Sequence, residues 1–407
     1  MKKLACILGL LVLSLSLSAQ KINKNVKPEA CGMSSEKLSL IDGLVEQAVA
    51  DKNRPGAVVC IQRENNIVYL KAFGNKQVEP SVVPMTTNTM FDLASLSKCV
   101  GTTMSFMQLV EQGKVRLSDD VKRYFPDFKP WVDPETGESV DITLQDLMTH
   151  SSGLDAYISV GPYIKKYGQN SPDSLMKYIS TEVGRNFRPG TGFRYSCLNF
   201  VTLQNILEQV TGQKLCDYAQ ENVFQPLHMD HTCYFPLDRE VPADLKALCA
   251  PTEVQADGLP LIAQVHDPLA RLINWGNSGN AGVFSTAEDL AVLASVLMDE
   301  GRYGKDKNIL GKRTVEAMCR IPASNDPEIG RCLGWDKHSS HTGFYGDIFD
   351  KAYTIGHTGY TGTSMLIDMK SKVTITILTN RAHPHDGGAV GRLRGMISNV
   401  VAGSIIR

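Results

Sequence analysis

Ser95 and Lys98 are the residues whose types and spacing most directly indicate chemistry in this sequence. A serine hydroxyl is a poor nucleophile at neutral pH, so it needs a base within hydrogen-bond reach. On a helix, the spacing Ser-x-x-Lys places the two side chains one turn apart on the same face. A serine at the start of that helix also lies at the positive end of the helix dipole. Lys98 can act as the base only if burial or nearby positive charge lowers its pKa, and the apolar Val100 and Met104 predict a buried helix.

The pattern Ser-x-x-Lys does not identify a nucleophile by itself, because it also begins at Ser18, Ser34 and Ser174. The first touches a predicted signal peptide, the second straddles a predicted helix start, and the third lies in a predicted surface helix. Ser95 differs in its surroundings, since residues 88–98 (NTMFDLASLSK) closely resemble the T-x-F-x-x-A-S-x-T-K stretch of class C β-lactamases and related esterases. The order Ser-x-x-Lys, then Tyr, then a basic residue followed by Thr-Gly resembles that of the serine β-lactamase and penicillin-binding protein superfamily.

Tyr195 is the second candidate, within the segment RPGTGFRYS of residues 188–196. This segment resembles P-G-x-x-F-x-Y-S-N of the same superfamily, in which a tyrosine beside a lysine exchanges protons with the nucleophile and the leaving group. A phenol needs a cationic neighbour for that task, and Lys98 is the expected one. Cys197 stands where the superfamily has Asn or Asp, and a thiol is a far weaker hydrogen-bond partner. We therefore expect Cys197 at the substrate and inefficient β-lactam hydrolysis, with a space-filling role for Cys197 left open.

His357 heads the tripeptide His-Thr-Gly after a predicted strand, where β-lactamases usually carry Lys-Thr-Gly. His-x-Gly is common in the esterase and peptidase branches. Histidine is a weaker anchor for a carboxylate than lysine, because it can be neutral at physiological pH. The resemblance implies that His357 and Thr358 orient the substrate, beside Gly359 and Tyr360, and that the backbone N–H groups of Ser95 and Tyr360 form the oxyanion hole. A histidine that simply ends a strand is the alternative.

Three further segments extend the resemblance to roughly residues 35–400: 142–154, 250–253 with 265–267, and 279–286. The last two resemble a narrower branch of exported serine hydrolases, some of which act on cell-wall muropeptides. His150 is expected to be structural. Asn280 stands where many relatives have histidine. Glu253, His266 and Asp267 are candidates for the pocket rim, with structural roles equally open.

The composition excludes some partners. The 407-residue chain is 43% hydrophobic and 21% charged, with a net charge of −1, so it has no field that would attract nucleic acid or an anionic membrane. We expect a small-molecule or peptide substrate that is selected by a local pocket. The closest metal-ligand spacing, from His228 to His231, lies in a segment that resembles a loop of the superfamily, so neither a metal nor another cofactor is expected.

Residues 1–19 predict a signal peptide. Lys2 and Lys3 form a basic start, residues 4–17 are mainly apolar, and Ala19 offers a cleavage site. The apolar run is shorter than the roughly 20 residues of a membrane span, so we expect a cleaved, periplasmic or secreted protein without a stable span. An uncleaved anchor is the alternative. Nine cysteines follow, and an odd number leaves at least one unpaired in an oxidising compartment.

Strand patterns lie at both ends of the chain and helix patterns lie between them. After a helix that Ser35 is expected to cap, hairpins are predicted at 57–63 with 67–73 and at 362–368 with 373–379. Helices are predicted at 104–112, 144–149, 174–180, 200–210, 216–223, 287–298 and 389–406. The pattern supports an α/β or α+β fold. The resemblance implies an antiparallel sheet flanked by helices, with an inserted all-helical domain at 106–284 and the sheet domain at 20–105 and 285–407.

The sequence therefore predicts an exported serine hydrolase that forms an acyl-enzyme at Ser95 on an ester or amide. A peptidoglycan-derived peptide is the first candidate substrate, followed by esters and β-lactams. The alternative is a penicillin- or peptide-binding or sensing protein of the same fold that does not turn over. Both would keep the same four residues, Ser95, Lys98, Tyr195 and His357, so turnover separates them.

Overall fold

A computed structural model describes residues 22–52 and 54–407 of the chain. The predicted signal peptide lies outside these residues. The strands are β1 (Gly56–Arg63), β2 (Asn66–Gln77), β3 (Val83–Pro84), β4 (Phe91–Asp92), β5 (Trp131–Val132), β6 (Ser139–Val140), β7 (Cys233–Tyr234), β8 (Val283–Ser285), β9 (Thr354–Thr358), β10 (Ser364–Asp368) and β11 (Val373–Thr379). The helices are α1 (Ser35–Leu38), α2 (Leu40–Ala50), α3 (Met104–Glu111), α4 (Leu144–Met148), α5 (Val160–Tyr167), α6 (Pro172–Thr181), α7 (Cys197–Thr211), α8 (Leu215–Ala219), α9 (Ala243–Leu248), α10 (Pro268–Leu272), α11 (Ala287–Met298), α12 (Lys312–Met318) and α13 (Gly391–Ser404).

The main sheet is built from both ends of the chain. Its six strands follow the order β3-β2-β1-β11-β10-β9, and all neighbours are antiparallel. The two ends meet where β1 pairs with β11, from Ala57 opposite Thr379 to Arg63 opposite Val373. The predicted fold class is confirmed, since the structure contains an antiparallel sheet flanked by helices. The region between the two halves of the sheet is mainly helical and also contains the short strands β5, β6 and β7. The division into domains at residues 105/106 and 284/285 stays a prediction.

Strand β1 shows why the sheet needs helices on both faces. Successive side chains of a strand point to opposite faces, and here both sets are apolar. Val58 and Cys60 belong to the large core beneath the inserted helices, whereas Val59 and Ile61 belong to a second core. The second core is closed by α1, α2 and α13, which pack against that face. A strand that is buried on both faces needs apolar side chains at nearly every position, which explains the nearly continuous apolar run in the sequence.

Element boundaries differ from the predictions in a few places. The prediction that Ser35 caps the first helix is wrong, because the Ser34 hydroxyl accepts the hydrogen bond from the Lys37 N–H at 3.2 Å. The first hairpin turns at Glu64 and Asn65, one residue earlier than expected. Helices α5, α9, α10 and α12 were not predicted, since each is short, with at most eight residues, and so offers few periodic positions.

The nine cysteines that follow Met1–Gln20 all carry free thiols in the structure. Among residues 22–52 and 54–407, no helix combines the length and the apolar character that crossing a membrane requires.

Candidate active site

Ser95 lies on a sharp turn that connects β4 to the helix leading into α3. The preceding residue, Ala94, has a left-handed backbone with φ of 46°, which is uncommon for a side chain with a Cβ. The buried Asp92 carboxylate holds this turn, since it accepts the Ala94 N–H at 2.8 Å and the His266 N–H at 2.7 Å. The turn is followed by a wide π-helical segment, Lys98–Thr103, rather than by a regular α-helix.

Lys98 is wholly buried, and each of its three ammonium hydrogens has a partner. Its Nζ lies 3.1 Å from Ser95 Oγ, 2.9 Å from the Asn280 carbonyl and 3.6 Å from Cys197 Sγ. The Asn280 contact uses the main chain, so the departure from histidine at this position leaves the lysine site intact. Tyr195 lies on the other side of the ammonium, with 5.0 Å between Nζ and the ring centroid.

The protonation of this cluster is set by its own members. Burial lowers the pKa of Lys98, but the nearby Cys197 and Tyr195, whose ionised forms an ammonium would stabilise, raise it by more, and the pKa lies above its ordinary value. Burial raises the pKa of the Tyr195 phenol more than the neighbouring Lys98 lowers it. The resting site therefore holds a charged lysine and a neutral tyrosine. The condition for Lys98 as a resting base, a lowered pKa, is not met.

Tyr195 is held by ring packing. Its ring lies 4.3 Å from that of His150, centroid to centroid. Within the described part of the chain, its buried hydroxyl completes no hydrogen bond, although Lys98 and Ser95 are near enough to lower the pKa of the phenol. His150 in turn accepts the Ser196 N–H at 3.1 Å through Nδ1, which anchors the start of α7. The ring packing therefore leaves the phenol hydroxyl of Tyr195 available as a hydrogen-bond donor or acceptor.

His357 is neutral. Burial, followed by the nearby charges of Arg331 and Lys98, holds the pKa of its imidazole well below the ordinary value. Its Nδ1 lies 2.8 Å from the Thr358 carbonyl, which can only accept, so Nδ1 carries the hydrogen. Nε2 is then an acceptor, and it has no partner among the residues described. His357 can accept a hydrogen bond from a substrate N–H or O–H, but it supplies no positive charge.

The two predicted oxyanion-hole donors, the N–H groups of Ser95 and Tyr360, lie in segments that are hydrogen-bonded to each other. Thr361 donates its hydroxyl to the Asp92 carbonyl at 2.7 Å, and Thr363 donates to the Leu93 carbonyl at 2.9 Å. These bonds fix the turn of Ser95 against the turn of Tyr360. In the described ranges, neither the Ser95 N–H nor the Tyr360 N–H donates to another group of the protein. Both N–H groups are therefore available as hydrogen-bond donors.

A cavity of about 340 Å³ opens above Ser95. It is lined by Ser95, Tyr195, Arg331, Asp336, His341, His357, Thr358, Gly359, Tyr360, Arg381, Val390 and Arg394. Six of these twelve belong to the predicted site. Lys98 and Cys197 are not among the lining residues, and Lys98 Nζ contacts both Ser95 Oγ and Cys197 Sγ. The other six lining residues carried no sequence signal, because each comes from a loop or helix that has no local motif.

The rim candidates lie outside the cavity lining. Asp267 caps α10 by accepting the Ala270 N–H at 2.8 Å, and it also accepts the Tyr157 hydroxyl at 3.0 Å. The ring of His266 stacks on Tyr360 with 5.7 Å between centroids. Glu253 contributes its carbonyl, which accepts the Leu261 N–H at 3.2 Å. In the part of the chain that the structure describes, no three His, Cys, Asp or Glu residues cluster closely enough to hold a metal.

The sequence and the structure were compared with known proteins. Residues 41–396 match the family model described as Beta-lactamase. An "N-acetylmuramyl-L-alanine amidase" of Bacillus subtilis (strain 168) is 30% identical over 380 residues, covering 88% of this chain and 84% of the relative. A "Putative D-alanyl-D-alanine carboxypeptidase" of Escherichia coli (strain K12) is 32% identical over 405 residues, covering 94% of this chain and 92% of the relative.

Solved structures show the same fold at lower identity. EstCE1, described as a hydrolase with promiscuous acyltransferase activity, superposes with a TM-score of 0.71 at 24% identity, over 90% of this chain and 99% of that chain. The octameric penicillin-binding protein homologue from Pyrococcus abyssi gives a TM-score of 0.68 at 20% identity, over 90% of this chain and 78% of that chain.

Proposed function

The chain belongs to the β-lactamase family of serine hydrolases and penicillin-binding-protein relatives, and we propose that Ser95 is its nucleophile. In this proposal Ser95 attacks an ester or amide and forms an acyl-enzyme that water then hydrolyses. The observation that carries the proposal is the 3.1 Å contact between Ser95 Oγ and the wholly buried Lys98 Nζ. A serine that lies against a buried lysine on a strained turn is the arrangement of an activated nucleophile.

Lys98 and Tyr195 move the protons as a pair. Because the resting pair holds a charged lysine and a neutral phenol, it becomes a base once one proton has left it. The pair then takes the proton of Ser95 during attack and returns a proton to the leaving group. The N–H groups of Ser95 and Tyr360 bind the developing oxyanion, and each such donor typically contributes about 3 kcal/mol in the transition state.

The substrate is proposed to be a peptidoglycan-derived peptide. The names of the Bacillus subtilis and Escherichia coli relatives support this class, since both refer to bonds of cell-wall peptides. The cavity supports it as well, because Nε2 of His357 offers an acceptor for a peptide N–H. Cys197 in place of an amide or carboxylate weakens the polar contacts beside Lys98, so β-lactams are expected to be poor substrates. Export follows from the predicted signal peptide and is part of the same proposal.

Intact-mass spectrometry after treatment with a fluorophosphonate tests the nucleophile. We expect a single adduct on the wild-type protein and none on Ser95→Ala. An adduct that persists in Ser95→Ala would refute the assignment. Penicillin added separately distinguishes the two roles: a transient adduct with opened drug indicates turnover, whereas a lasting adduct supports a binding or sensing protein.

Incubation with a defined muropeptide mixture tests the substrate class. Loss of a terminal D-alanine would indicate a carboxypeptidase, and release of the stem peptide from the sugar would indicate an amidase. If the fluorophosphonate labels Ser95 but no muropeptide is cleaved over many hours, the peptidoglycan assignment is wrong and the nucleophile assignment stands.

A further inference from the structure

The thiol of Cys197 lies next to the proposed nucleophile and contacts a buried cation. Its Sγ accepts a hydrogen bond from Lys98 Nζ at 3.6 Å, and Lys98 is wholly buried. Cys197 is partly exposed, and its thiol is free. Within the described part of the chain, no other cysteine sulfur accepts a hydrogen bond from a lysine ammonium. Because the superfamily pattern has Asn or Asp at this position, the contact between a thiol and the buried lysine is a departure from that pattern.

A second buried donor lies near the same sulfur. Asn280 is 1% exposed, and its amide is near enough to Cys197 to lower the pKa of the thiol. The orientation of this amide is fixed, because its Oδ1 accepts the Ser278 hydroxyl at 2.7 Å. Its Nδ2 completes no hydrogen bond among the described residues. A buried donor without an acceptor is unfavourable, and an oxygen atom added to Cys197 Sγ would supply the acceptor.

The same added oxygen would interfere with the proposed base. Lys98 Nζ lies 3.1 Å from Ser95 Oγ as well as 3.6 Å from Cys197 Sγ. An oxygen atom is a stronger hydrogen-bond acceptor than a thiol sulfur, so it would compete with Ser95 Oγ for the ammonium and keep the lysine charged. A lysine held in this way does not take up the proton of Ser95.

We propose that Cys197 is a modification site for hydrogen peroxide, which converts its thiol into a sulfenic acid that Lys98 and Asn280 hold. The sulfenic acid stops hydrolysis at Ser95, a consequence that rests on the proposed function, whereas the modification itself does not. The thiol first loses its proton, and a sulfur lone pair then attacks one peroxide oxygen. The S–O bond forms as the O–O bond breaks, and the departing hydroxide combines with the released proton as water.

The sulfur loses two electrons in this step, and the peroxide gains them. The modification is reversible by small thiols. A first thiol displaces the oxygen as water and forms a mixed disulfide with Cys197, and a second thiol then releases the Cys197 thiol. A further oxidation to the sulfinic acid is not reversed by thiols.

The surroundings of Cys197 favour the oxidised product over a fast reaction. Burial, followed by the charge of Asp267, raises the pKa of the thiol by more than Lys98 and Asn280 lower it, so the thiol is protonated at neutral pH. The thiolate is the form that attacks peroxide. We therefore expect slow oxidation in excess peroxide and a sulfenic acid that persists once it has formed.

Dimedone, which alkylates sulfenic acids, provides the test. The full-length wild-type protein is treated with hydrogen peroxide and dimedone, and mass spectrometry of its peptides locates the adduct. We expect the adduct on the peptide that contains Cys197. Without dimedone, peroxide should lower the rate of hydrolysis of an activated ester at least about tenfold, and dithiothreitol should restore most of that rate.

Three variants are each compared with their own activity before peroxide is added. Cys197→Ser should lose little activity, because it has no thiol at the site. Asn280→Ala should be inactivated but should recover less in dithiothreitol, because its sulfenic acid lacks one donor and is oxidised further. Cys31→Ser is the matched control, since it removes another partly exposed thiol, which packs against the second core, and it should respond as the wild type does.

Several outcomes would overturn the inference. Equal losses of activity in Cys197→Ser and the wild type would do so, as would adducts on other cysteines only, or a loss that dithiothreitol does not reverse. Thermal melting checks that each variant is folded, and the location of the adduct in the wild-type protein needs no variant. If the adduct forms on Cys197 but the protein hydrolyses nothing, the proposed function fails and the modification site stands. An active protein without the adduct overturns this inference alone.

Discussion

Replacing Tyr195 by phenylalanine should both stabilise the folded protein and lower its kcat. The Tyr195 hydroxyl is buried and completes no hydrogen bond among the described residues. A buried polar group without a partner costs about 1–3 kcal/mol, and Tyr195→Phe removes that cost without changing the shape of the ring. With an unfolding entropy of about 2 cal/mol/K per residue, a gain of 1–3 kcal/mol corresponds to a rise in Tm of about 1–4 °C for a chain of this length.

The same substitution removes the phenol that is proposed to exchange protons with Ser95 and the leaving group. Loss of a general acid–base group typically lowers kcat by about 10²–10⁴-fold. Lys98 remains 3.1 Å from Ser95, so phosphonylation of Ser95 by the fluorophosphonate should be slowed and not abolished. Differential scanning fluorimetry measures the Tm, and hydrolysis of an activated ester measures kcat.

Tyr163→Phe is the matched control. Tyr163 is also a largely buried tyrosine, but its hydroxyl donates to the Ser171 carbonyl at 3.2 Å, and it lies on α5 away from the cavity. This variant should lose about 1 kcal/mol of stability and keep its activity. The reasoning would be refuted if Tyr195→Phe retained a third or more of the wild-type kcat, or if its Tm fell as that of Tyr163→Phe does.

Three further outcomes are expected. The kcat/KM should rise with pH from neutral into the alkaline range, because the pKa values of Lys98 and Tyr195 both lie above their ordinary values and the pair is a base only after losing a proton. A pH–rate profile with an inflection near 6.5, the ordinary pKa of a histidine, would contradict this. His357 could not account for such an inflection, because its pKa lies well below that value. Lys98→Ala should lower kcat/KM for an activated ester at least about 10³-fold, and near-normal turnover would exclude the lysine from the mechanism. Cys197→Asn should speed penicillin hydrolysis by about threefold to tenfold, the gain of one hydrogen bond, and an unchanged steady-state rate would show that the thiol does not limit β-lactam turnover.

Much of the sheet could be predicted because each strand carries its own signal. The apolar run of β1 and the turn residues after it are local features, which can be recognised from neighbouring residues without knowledge of the tertiary structure. The cap of the first helix was missed by one residue, because Ser34 and Ser35 are adjacent and both suit an N-cap. The choice between them depends on which hydroxyl reaches the Lys37 N–H.

The site was predictable only where it follows motifs. Ser95, Lys98 and Tyr195 lie in recognisable segments, and the structure places them in contact. The charge state of Lys98 was not predictable, since it depends on distances to Cys197 and Tyr195 from a different part of the chain. Arg394 was missed for the same reason. The sequence around it does not show that helix α13 places this arginine at the cavity.

The bonds from Thr361 and Thr363 to the carbonyls of Asp92 and Leu93 have a consequence for the order of assembly. These two hydrogen bonds join segments that lie 269 and 270 residues apart in the sequence. Contacts of such long sequence separation form late in folding. A nascent or C-terminally truncated chain therefore carries Ser95 and Lys98 without a formed oxyanion hole. If these donors form the oxyanion hole as proposed, a chain that is cut before Thr361 should lose its reactivity although it keeps Ser95 and Lys98.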